Sequence, residues 1–309
     1  ILVSRERLME LRTLEYFLAV AREENMTAAA DVLHVTQPTL SRQIADLERE
    51  LGATLFIRSN RATTLTEDGM RLRQRAEEIV GLAERCEAEF RLPDEDLAGT
   101  VAIGAGETVM MRRVARVAQR IHARHPLVHF DLYSGNADDV AERLEHGTLD
   151  LGLMLEPVDK ARYEYLTLPD KDTVGVLMRA DDPLAQEDAI TPEQLARMPL
   201  LHSSRDVAHN FDLRTWSKNR IDPDQVDFVG TYNLIFNAGL FVEAGVGYSL
   251  TLEGLSDVSE TSSLRFVPLR PRLTMGGVIV WKKYRLPSHA AEVFLDELRA
   301  DLESEEGAS

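Results

Sequence analysis

The chain has 309 residues, of which 44% are hydrophobic and 28% are charged, a composition typical of a globular protein with two or three domains. Its formal net charge of −17 argues against binding nucleic acid through bulk positive charge, and its single cysteine excludes an intramolecular disulfide or a multi-cysteine metal site. No apolar run approaches the length of a membrane span and no signal-peptide core is present, so we expect a cytoplasmic protein without membrane contact.

Two short helices joined by a tight turn are predicted over residues 27–52. Thr27 is suited to cap the first helix, and Thr36 to cap the second, which has Pro38 in its first turn and ends at Gly52. The apolar residues of the second helix recur at spacings of four, three and four and form one buried stripe, namely Leu40, Ile44, Leu47 and Leu51. A helix with a polar, arginine-bearing outer face after a short helix and a turn is typical of a helix-turn-helix.

The residues after the second helix distinguish this motif from an ordinary helical hairpin on a protein surface. Residues 55–57 are apolar, residues 58–61 favour a turn, and residues 63–66 favour a β-strand. They predict a hairpin that presents Arg58 and Arg61 at its tip, where these side chains can contact phosphates or a minor groove.

The segment from Leu11 to Ala76 resembles the winged helix-turn-helix of the LysR-type transcriptional regulators. The resemblance is carried by LRTLEYFLAVAREENMTAAADVLHVTQPTLSRQIADLERELGATLFIR, by Arg61 and by LTEDG. It implies a protein that binds double-stranded DNA. The first turns of the recognition helix would face base edges, and the residues expected to contact DNA are Thr36, Gln37, Pro38, Thr39, Ser41, Arg42, Arg58 and Arg61.

The family usually begins with Met, a polar or acidic residue and a hydrophobic one, as in Met9-Glu10-Leu11. We therefore expect Met9 to be the natural start and residues 1–8 to be upstream read-through. Residues 1–65 contain eight arginines and nine acidic residues, so this part carries −1 and the remainder carries −16. DNA affinity would then depend on a few placed arginines and vary modestly with salt.

A long helix is predicted from Thr66 to about Phe90, with a repeating apolar seam. The seam residues recur at alternating spacings of four and three, namely Leu72, Ala76, Ile79, Ala83, Cys86 and Phe90. The helix could pack on its own domain or pair with a second copy, and a helix-turn-helix protein gains most from pairing. In the family that the chain resembles this helix dimerises, which implies a homodimer and, beyond it, a homotetramer.

Strands and helices alternate after a break at residues 92–96, which predicts a parallel, doubly wound sheet. Strands are predicted at residues 100–103, 128–133, 149–155, 227–230 and 277–281, and a further strand begins near residue 174. Helices are predicted at residues 137–146, 211–218 and 288–302, and another helix follows the first strand and ends near residue 125. A closing strand and helix suggest that the chain returns to its first lobe. Two α/β lobes around a cleft resemble the periplasmic-binding-protein fold of the family's effector domain.

The predicted fold is therefore multi-domain. A winged helix-turn-helix DNA-binding domain occupies residues 1–65, a dimerising linker helix residues 66–92, and a two-lobed α/β effector-binding domain residues 98–303. The first lobe would comprise about 98–170 and 271–303, and the second about 171–270.

Ligands of open α/β sheets lie beyond the carboxyl ends of strands, where helix N-termini present free N–H groups. The residues expected to contact a small-molecule effector there are Gly106, Glu107, Thr108, Ser134, Gly135, Asn136, Ser203, Ser204, Tyr232, Asn233 and Gly247. A hydroxyl before a helix can equally be no more than a cap. Helix N-termini favour an anion such as a small carboxylate, whereas Glu107 could repel an acid or receive an ammonium group, and the sequence does not decide.

Enzyme motifs are weak by comparison. Gly104-Ala105-Gly106 lacks the third glycine of a dinucleotide fingerprint, since position 109 is valine. His122, His125 and His129 resemble a set of metal ligands in their spacing. Pro126 ends the helix and places His129 on a strand, so we do not expect the three side chains to bind one metal ion. We predict no cofactor, no metal and no catalysis, but a regulator whose effector alters lobe packing and the spacing of recognition helices. The alternative is an α/β enzyme or solute-binding protein with an N-terminal assembly module.

Overall fold

The structure is a computed structural model that describes residues 9–58, 62–90, 97–203, 213–285 and 287–306. The chain divides into two compact units, with the division between residues 91 and 92.

The first unit is mainly helical. Its elements are α1 (Leu11–Glu23), α2 (Met26–Val32), α3 (Gln37–Leu51), β1 (Phe56–Arg58), β2 (Thr63–Leu65) and α4 (Glu67–Phe90). Asn25 caps α2 by accepting hydrogen bonds from the backbone N–H groups of Thr27 and Ala28, so the prediction of Thr27 as the cap is wrong. The helix begins earlier because the amide oxygen of Asn25 can reach both N–H groups. The predicted limits of α3 are confirmed, with Thr36 as its cap and Gly52 at a positive φ of 64° after its end.

The core of this unit is formed by one apolar face from each helix together with the start of the hairpin. The rings of Phe17 and Phe56 lie 5.2 Å apart at its centre. The predicted stripe of α3 is buried at Leu40, Ile44 and Leu47, whereas Leu51 is exposed. Burial of this stripe leaves the opposite face of α3 to the solvent.

Helix α4 divides its apolar residues between two faces. Ala76 and Val80 are buried in the core of the first unit, and Leu72 packs against it. Ile79 and Leu82 are exposed, as is Cys86, and the side chain of Phe90 lies outside the described part. The predicted single seam is therefore wrong for its first half. Packing on the helix's own domain, the alternative interpretation, holds there, because residues four apart face α1.

The second unit is a mixed α/β structure of two lobes. Its strands are β3 (Gly99–Ala105), β4 (Val128–Ser134), β5 (Leu151–Leu155), β6 (Tyr163–Arg179), β7 (Leu200–Ser203), β8 (Phe228–Tyr232), β9 (Tyr248–Leu252), β10 (Leu264–Pro268) and β11 (Thr274–Lys282). Its helices are α5 (Met111–Arg124), α6 (Ala137–His146), α7 (Pro192–Leu195), α8 (Leu213–Trp216), α9 (Ile235–Glu243) and α10 (His289–Glu306). The strand order is β4-β3-β5-β11-β6-β9-β7-β8, and β10 also pairs with β6.

The strand–helix alternation predicts a parallel sheet, and the pairing directions show that this prediction is wrong for part of the sheet. Within the first lobe β3 runs parallel to β4 and β5, and within the second lobe β7 runs parallel to β8 and β9. Strands β6 and β11 pair antiparallel with their neighbours. These are the strands by which the chain leaves the first lobe and returns to it, and their opposite directions make the sheet mixed.

Strand β6 is shared by the two lobes. Residues 163–173 pair with β11 in the first lobe, and residues 174–179 pair with β9 and β10 in the second. The returning chain lies beside this crossing, since Val174 donates its N–H to the carbonyl of Leu273 at 2.9 Å and accepts from Leu269 at 3.1 Å. The two connections between the lobes therefore run side by side.

A buried arginine ties the first lobe together. Arg113 on α5 is 2% exposed and donates to carboxylate oxygens of Asp170, Asp301 and Glu305 at 2.6, 2.5 and 2.6 Å. The hydrogen bond with Asp170 is the main reason that the pKa of Arg113 is raised. Since a buried charge is tolerated only when it is paired, this cluster fixes α5 against β6 and α10.

Candidate functional site

The outer face of α3 is polar at its N-terminal end. Gln37, Pro38, Thr39 and Arg42 are exposed, and Ser41 is half-buried. The Thr36 hydroxyl accepts the N–H of Thr39 at 3.4 Å and lies 2.8 Å from the Thr39 hydroxyl. The first turn thus has a defined shape and leaves side-chain donors and acceptors facing outward.

Two arginines on α3 differ in their availability. Arg49 forms an ion pair with Asp46 at 2.7 Å. Arg42 is exposed and has no ion-pair or hydrogen-bond partner among the residues that the structure describes. Arg42 is therefore the α3 cation whose guanidinium can bind another molecule without first breaking a protein contact.

The predicted wing is confirmed as an antiparallel hairpin. β1 pairs with β2 from Phe56 opposite Leu65 to Arg58 opposite Thr63. The side chain of Arg58 and the whole of Arg61 lie outside the described residues, so their predicted contacts with DNA stay predictions.

Glu48 connects α3 to this hairpin. One of its carboxylate oxygens accepts the N–H groups of Leu55 and Phe56 at 2.8 and 3.2 Å. This positioning role of Glu48 is not apparent from the sequence, because an acid near the end of an amphipathic helix is usually solvated. Its contacts depend on how the chain folds back after Gly52, which helical periodicity does not reveal.

A cavity of about 90 Å³ lies between the two lobes of the second unit. The predicted effector-binding residues that line it are Gly106, Glu107, Thr108, Gly135, Asn136, Ser203, Tyr232 and Asn233. Apolar side chains from strand ends and helix starts complete it, chiefly Leu153, Met154, Leu155, Ile235, Leu252 and Leu255. These apolar residues were not among the predicted effector-binding residues, since nothing in their sequence pattern shows which of them face a cavity.

Two of the predicted effector-binding residues lie outside the described lining of the cavity. Ser134 ends β4 and does not line the cavity. A Cβ atom at Gly247 would lie 2.6 Å from the carbonyl oxygen of Pro199, so this glycine permits close packing of the backbone and does not line the cavity either. Ser204 lies outside the described residues.

Several polar groups of the cavity serve the protein itself. The side chain of Asn136 caps α6 by accepting two backbone N–H groups at 2.9 Å. The Tyr232 hydroxyl donates to the carbonyl of Leu250 at 2.7 Å. The structural role of a cap, which the sequence leaves as an alternative, is therefore present at Asn136.

Glu107 joins the two lobes across the cavity. Its carboxylate, from the loop after β3 in the first lobe, accepts the backbone N–H of Ile235 at the start of α9 in the second lobe. The N-cap residue of α9, Leu234, has no side chain that can cap this helix. The carboxylate thus supplies the negative charge that a helix N-terminus favours.

Asp172 lies next to the cavity at the crossing between the lobes. It is 1% exposed and accepts the hydroxyl of Thr108 at 2.6 Å through Oδ2, while Oδ1 has no hydrogen-bond partner among the described residues. Burial raises the pKa of this carboxyl, and the hydrogen bonds from Thr108 and from the Val109 backbone partly oppose that effect. Burial of Asp172 is not apparent from the sequence, because the residue lies in a polar stretch that does not have the pattern of a strand.

Within the part of the chain that the structure describes, none of the helices combines the length and the apolar character required to cross a membrane.

A winged helix-turn-helix together with a two-lobed unit that encloses a cavity defines a DNA-binding regulator with a ligand-binding domain. Residues 11–70 match the family model of the bacterial regulatory helix-turn-helix protein, lysR family, and residues 94–303 match that of the LysR substrate binding domain. The chain belongs to the LysR family of transcriptional regulators. It is a ligand-responsive, DNA-binding regulator and not an enzyme.

Relatives with this organisation match most of the chain. The Hca operon transcriptional activator HcaR of Escherichia coli is 32% identical over 282 residues, which cover 89% of this chain and 92% of HcaR. The crystal structure of CbnR, a LysR family transcriptional regulator, has a TM-score of 0.73 at 21% identity and covers 95% of this chain and 99% of CbnR. Full-length CbnR complexed with its target DNA has a TM-score of 0.70, also at 21% identity, and covers 94% of this chain and 99% of that chain.

Proposed function

We propose that the protein binds an operator as a homodimer and that a small molecule in the inter-lobe cavity changes the spacing of the two recognition helices. The observation that carries this proposal is the cavity itself, which is lined by both lobes and bridged by the bond from Ile235 to Glu107. A ligand that enters there alters the contacts between the lobes. Binding that favours one arrangement of the lobes shifts the population toward it.

The DNA contacts are assigned to the exposed end of α3 and to the wing. Gln37, Thr39 and Arg42 are exposed, and this is the part of a recognition helix that contacts base edges in a major groove. Thr36, Pro38 and Ser41 belong to the same turns, and Arg58 and Arg61 are assigned to the wing from their sequence positions. CbnR, whose fold this chain shares, has been crystallised with its target DNA.

Self-association is assigned to the second half of α4. Ile79 and Leu82 are exposed there, and Cys86 continues the same helical face. Large apolar side chains on a helix that ends beyond its own core are suited to pack against a second copy. Pairing would place two recognition helices on one operator, and association of two such dimers would give the homotetramer.

Replacement of Arg42 by alanine tests the DNA contact. We expect Arg42→Ala to weaken operator binding by about fivefold to 150-fold, which corresponds to about 1–3 kcal/mol for an arginine that reads a guanine. The measurement is fluorescence anisotropy with the protein's own upstream intergenic DNA and a scrambled duplex, each at two salt concentrations.

Arg116→Ala is the matched control, because Arg116 is an exposed arginine on α5 of the second unit. Its operator affinity should equal that of the wild type. Unchanged binding by Arg42→Ala would remove this arginine from the interface, and equal affinity of the wild type for operator and scrambled duplex would contradict specific recognition of this DNA.

A further inference from the structure

The cavity between the lobes carries one charged side chain on its described lining, and the charge is negative. That side chain is Glu107; the other described lining residues are glycines, amides, hydroxyl residues and apolar residues, without a lysine, arginine or histidine among them. An anion in the cavity would therefore meet a carboxylate, with no cationic side chain of the described lining to offset it. Like charges repel more strongly in a partly buried site than in bulk water.

Backbone donors at both helix starts are bound by the protein itself. Ile235 at the start of α9 donates its N–H to Glu107, and Asp138 and Asp139 in the first turn of α6 donate theirs to Asn136. A carboxylate ligand could use these three N–H groups only by displacing one of the two side chains. The small carboxylate that helix N-termini suggest from sequence alone is thus disfavoured by the observed contacts.

The carboxylate of Glu107 keeps capacity to accept further hydrogen bonds. An ionised carboxylate offers about four lone-pair positions, and Ile235 occupies one of them. A ligand ammonium can therefore bind Glu107 while the bond between the lobes is retained. Asn136 and Asn233 bring further polar side chains to the same cavity.

The apolar lining and the volume limit the rest of the ligand. Leu153, Leu155 and Leu252 provide walls that favour hydrocarbon. A cavity of about 90 Å³ is smaller than the ~150 Å³ apolar cavity that holds benzene. With the lobes in this arrangement, the space suits a short aliphatic molecule.

We propose that the cavity binds a small aliphatic ligand with a protonated primary amine, and that Glu107 is the residue that selects this class over carboxylates. The proposal rests on the assignment of the cavity as the effector site. It specifies the chemistry of the effector: an ammonium at Glu107 and a hydrocarbon body against the leucine walls.

Three probes of similar size and different charge test the proposal, namely n-propylammonium, propionate and n-propanol. Each is titrated into the full chain at neutral pH and constant ionic strength while the thermal midpoint is followed. We expect a saturable rise with propylammonium at up to tens of millimolar and none with propionate. Glu107→Gln should weaken the apparent affinity for propylammonium by about tenfold or more, since it replaces a charge-assisted hydrogen bond with a neutral one.

Glu187→Gln is the control, because Glu187 is an exposed acid of the same unit that does not line the cavity. Its preference for propylammonium should match that of the wild type. Stabilisation of the wild type by propionate to the same extent, or no preference among the probes, would overturn the proposal independently of whether the variant folds. A preference that survives in folded Glu107→Gln would overturn the role of Glu107.

Operator binding is measured separately by anisotropy for the wild type and Glu187→Gln. If neither the wild type nor Glu187→Gln binds the operator more tightly than the scrambled duplex, the proposed role as a DNA-binding regulator is contradicted, whatever the probes show. Specific DNA binding without the probe preference would contradict only the assignment of ligand class.

Discussion

Gly69 and Gly81 lie on the same helix, α4, but in different surroundings. A Cβ atom at Gly69 would overlap the carbonyl oxygen of Leu55, whereas one at Gly81 would meet nothing within 4 Å. Gly69→Ala should destabilise the first unit by about 1–3 kcal/mol, because the backbone of Leu55 would have to shift to make room for the new methyl group.

Gly81→Ala should stabilise the same unit by about 0.5–1 kcal/mol, because alanine loses less conformational freedom than glycine when the helix forms. Native-state hydrogen exchange of the helices in this unit measures both, and similar effects of the two substitutions would contradict the packing of Gly69 on the hairpin.

Asp172 makes stability depend on pH in a direction opposite to that of an ordinary surface carboxylate. Its pKa is raised by burial, so the folded state holds this proton more tightly than the unfolded state does. The contribution of Asp172 to the free energy of unfolding therefore falls as the pH rises from the ordinary pKa of an aspartate to the raised pKa of the folded state. Above the raised pKa the full cost of the buried charge is present.

Asp172→Asn tests this conclusion. At pH values above the raised pKa, we expect the variant to be more stable than the wild type by about 1–3 kcal/mol, which is the cost of leaving a buried charged oxygen unpaired. The difference should vanish as the pH approaches the ordinary pKa of an aspartate. Both tryptophans, Trp216 and Trp281, lie in the second unit, so urea unfolding followed by their fluorescence reports on this unit. A variant less stable than the wild type at every pH would show that the carboxylate is needed for the fold.

At the scale of elements, the sequence predicts best where local signals agree. Helix α6 is found at its predicted limits because Asn136 caps it, Gly147 ends it at a positive φ of 71°, and its buried residues follow helical spacing. Strand β6 is different, since only its part from Val174 is apparent from sequence. Pro169 interrupts its first half, and the pairing with β11 shifts register in this region. That half is a strand because β11 pairs with it, which is a tertiary contact.

In the candidate cavity too, local features are predictable from sequence and tertiary contacts are not. Turn residues after strands, such as Glu107 and Asn136, are predictable because strand–helix junctions collect at one edge of an α/β sheet. The bond from Ile235 to Glu107 is not predictable, since 128 residues separate the two partners. The structure therefore adds what the sequence leaves open, namely which polar groups of the cavity are already occupied.

Association of the whole molecule can be tested at the exposed part of α4. Ile79→Asp combined with Leu82→Asp should convert the proposed dimer to a monomer in sedimentation velocity, because a charge in an apolar helix interface is left without solvent or a partner. Gln74→Asp is the control. Gln74 is an exposed residue of α4, and its replacement introduces an aspartate on the same helix away from Ile79 and Leu82. A double variant that sediments like the wild type would place self-association elsewhere.

The shared strand β6 restricts how the two lobes can move. The outgoing chain at Val174 and the returning chain at Leu269 and Leu273 are hydrogen-bonded to each other, so the two connections act as one short ribbon. Sliding of the lobes past each other would break these bonds, whereas rotation about the ribbon preserves them. Rotation about this ribbon is therefore the relative movement of the lobes that keeps both connections intact, and it would change the distance between Glu107 and Ile235 on the two sides of the cavity.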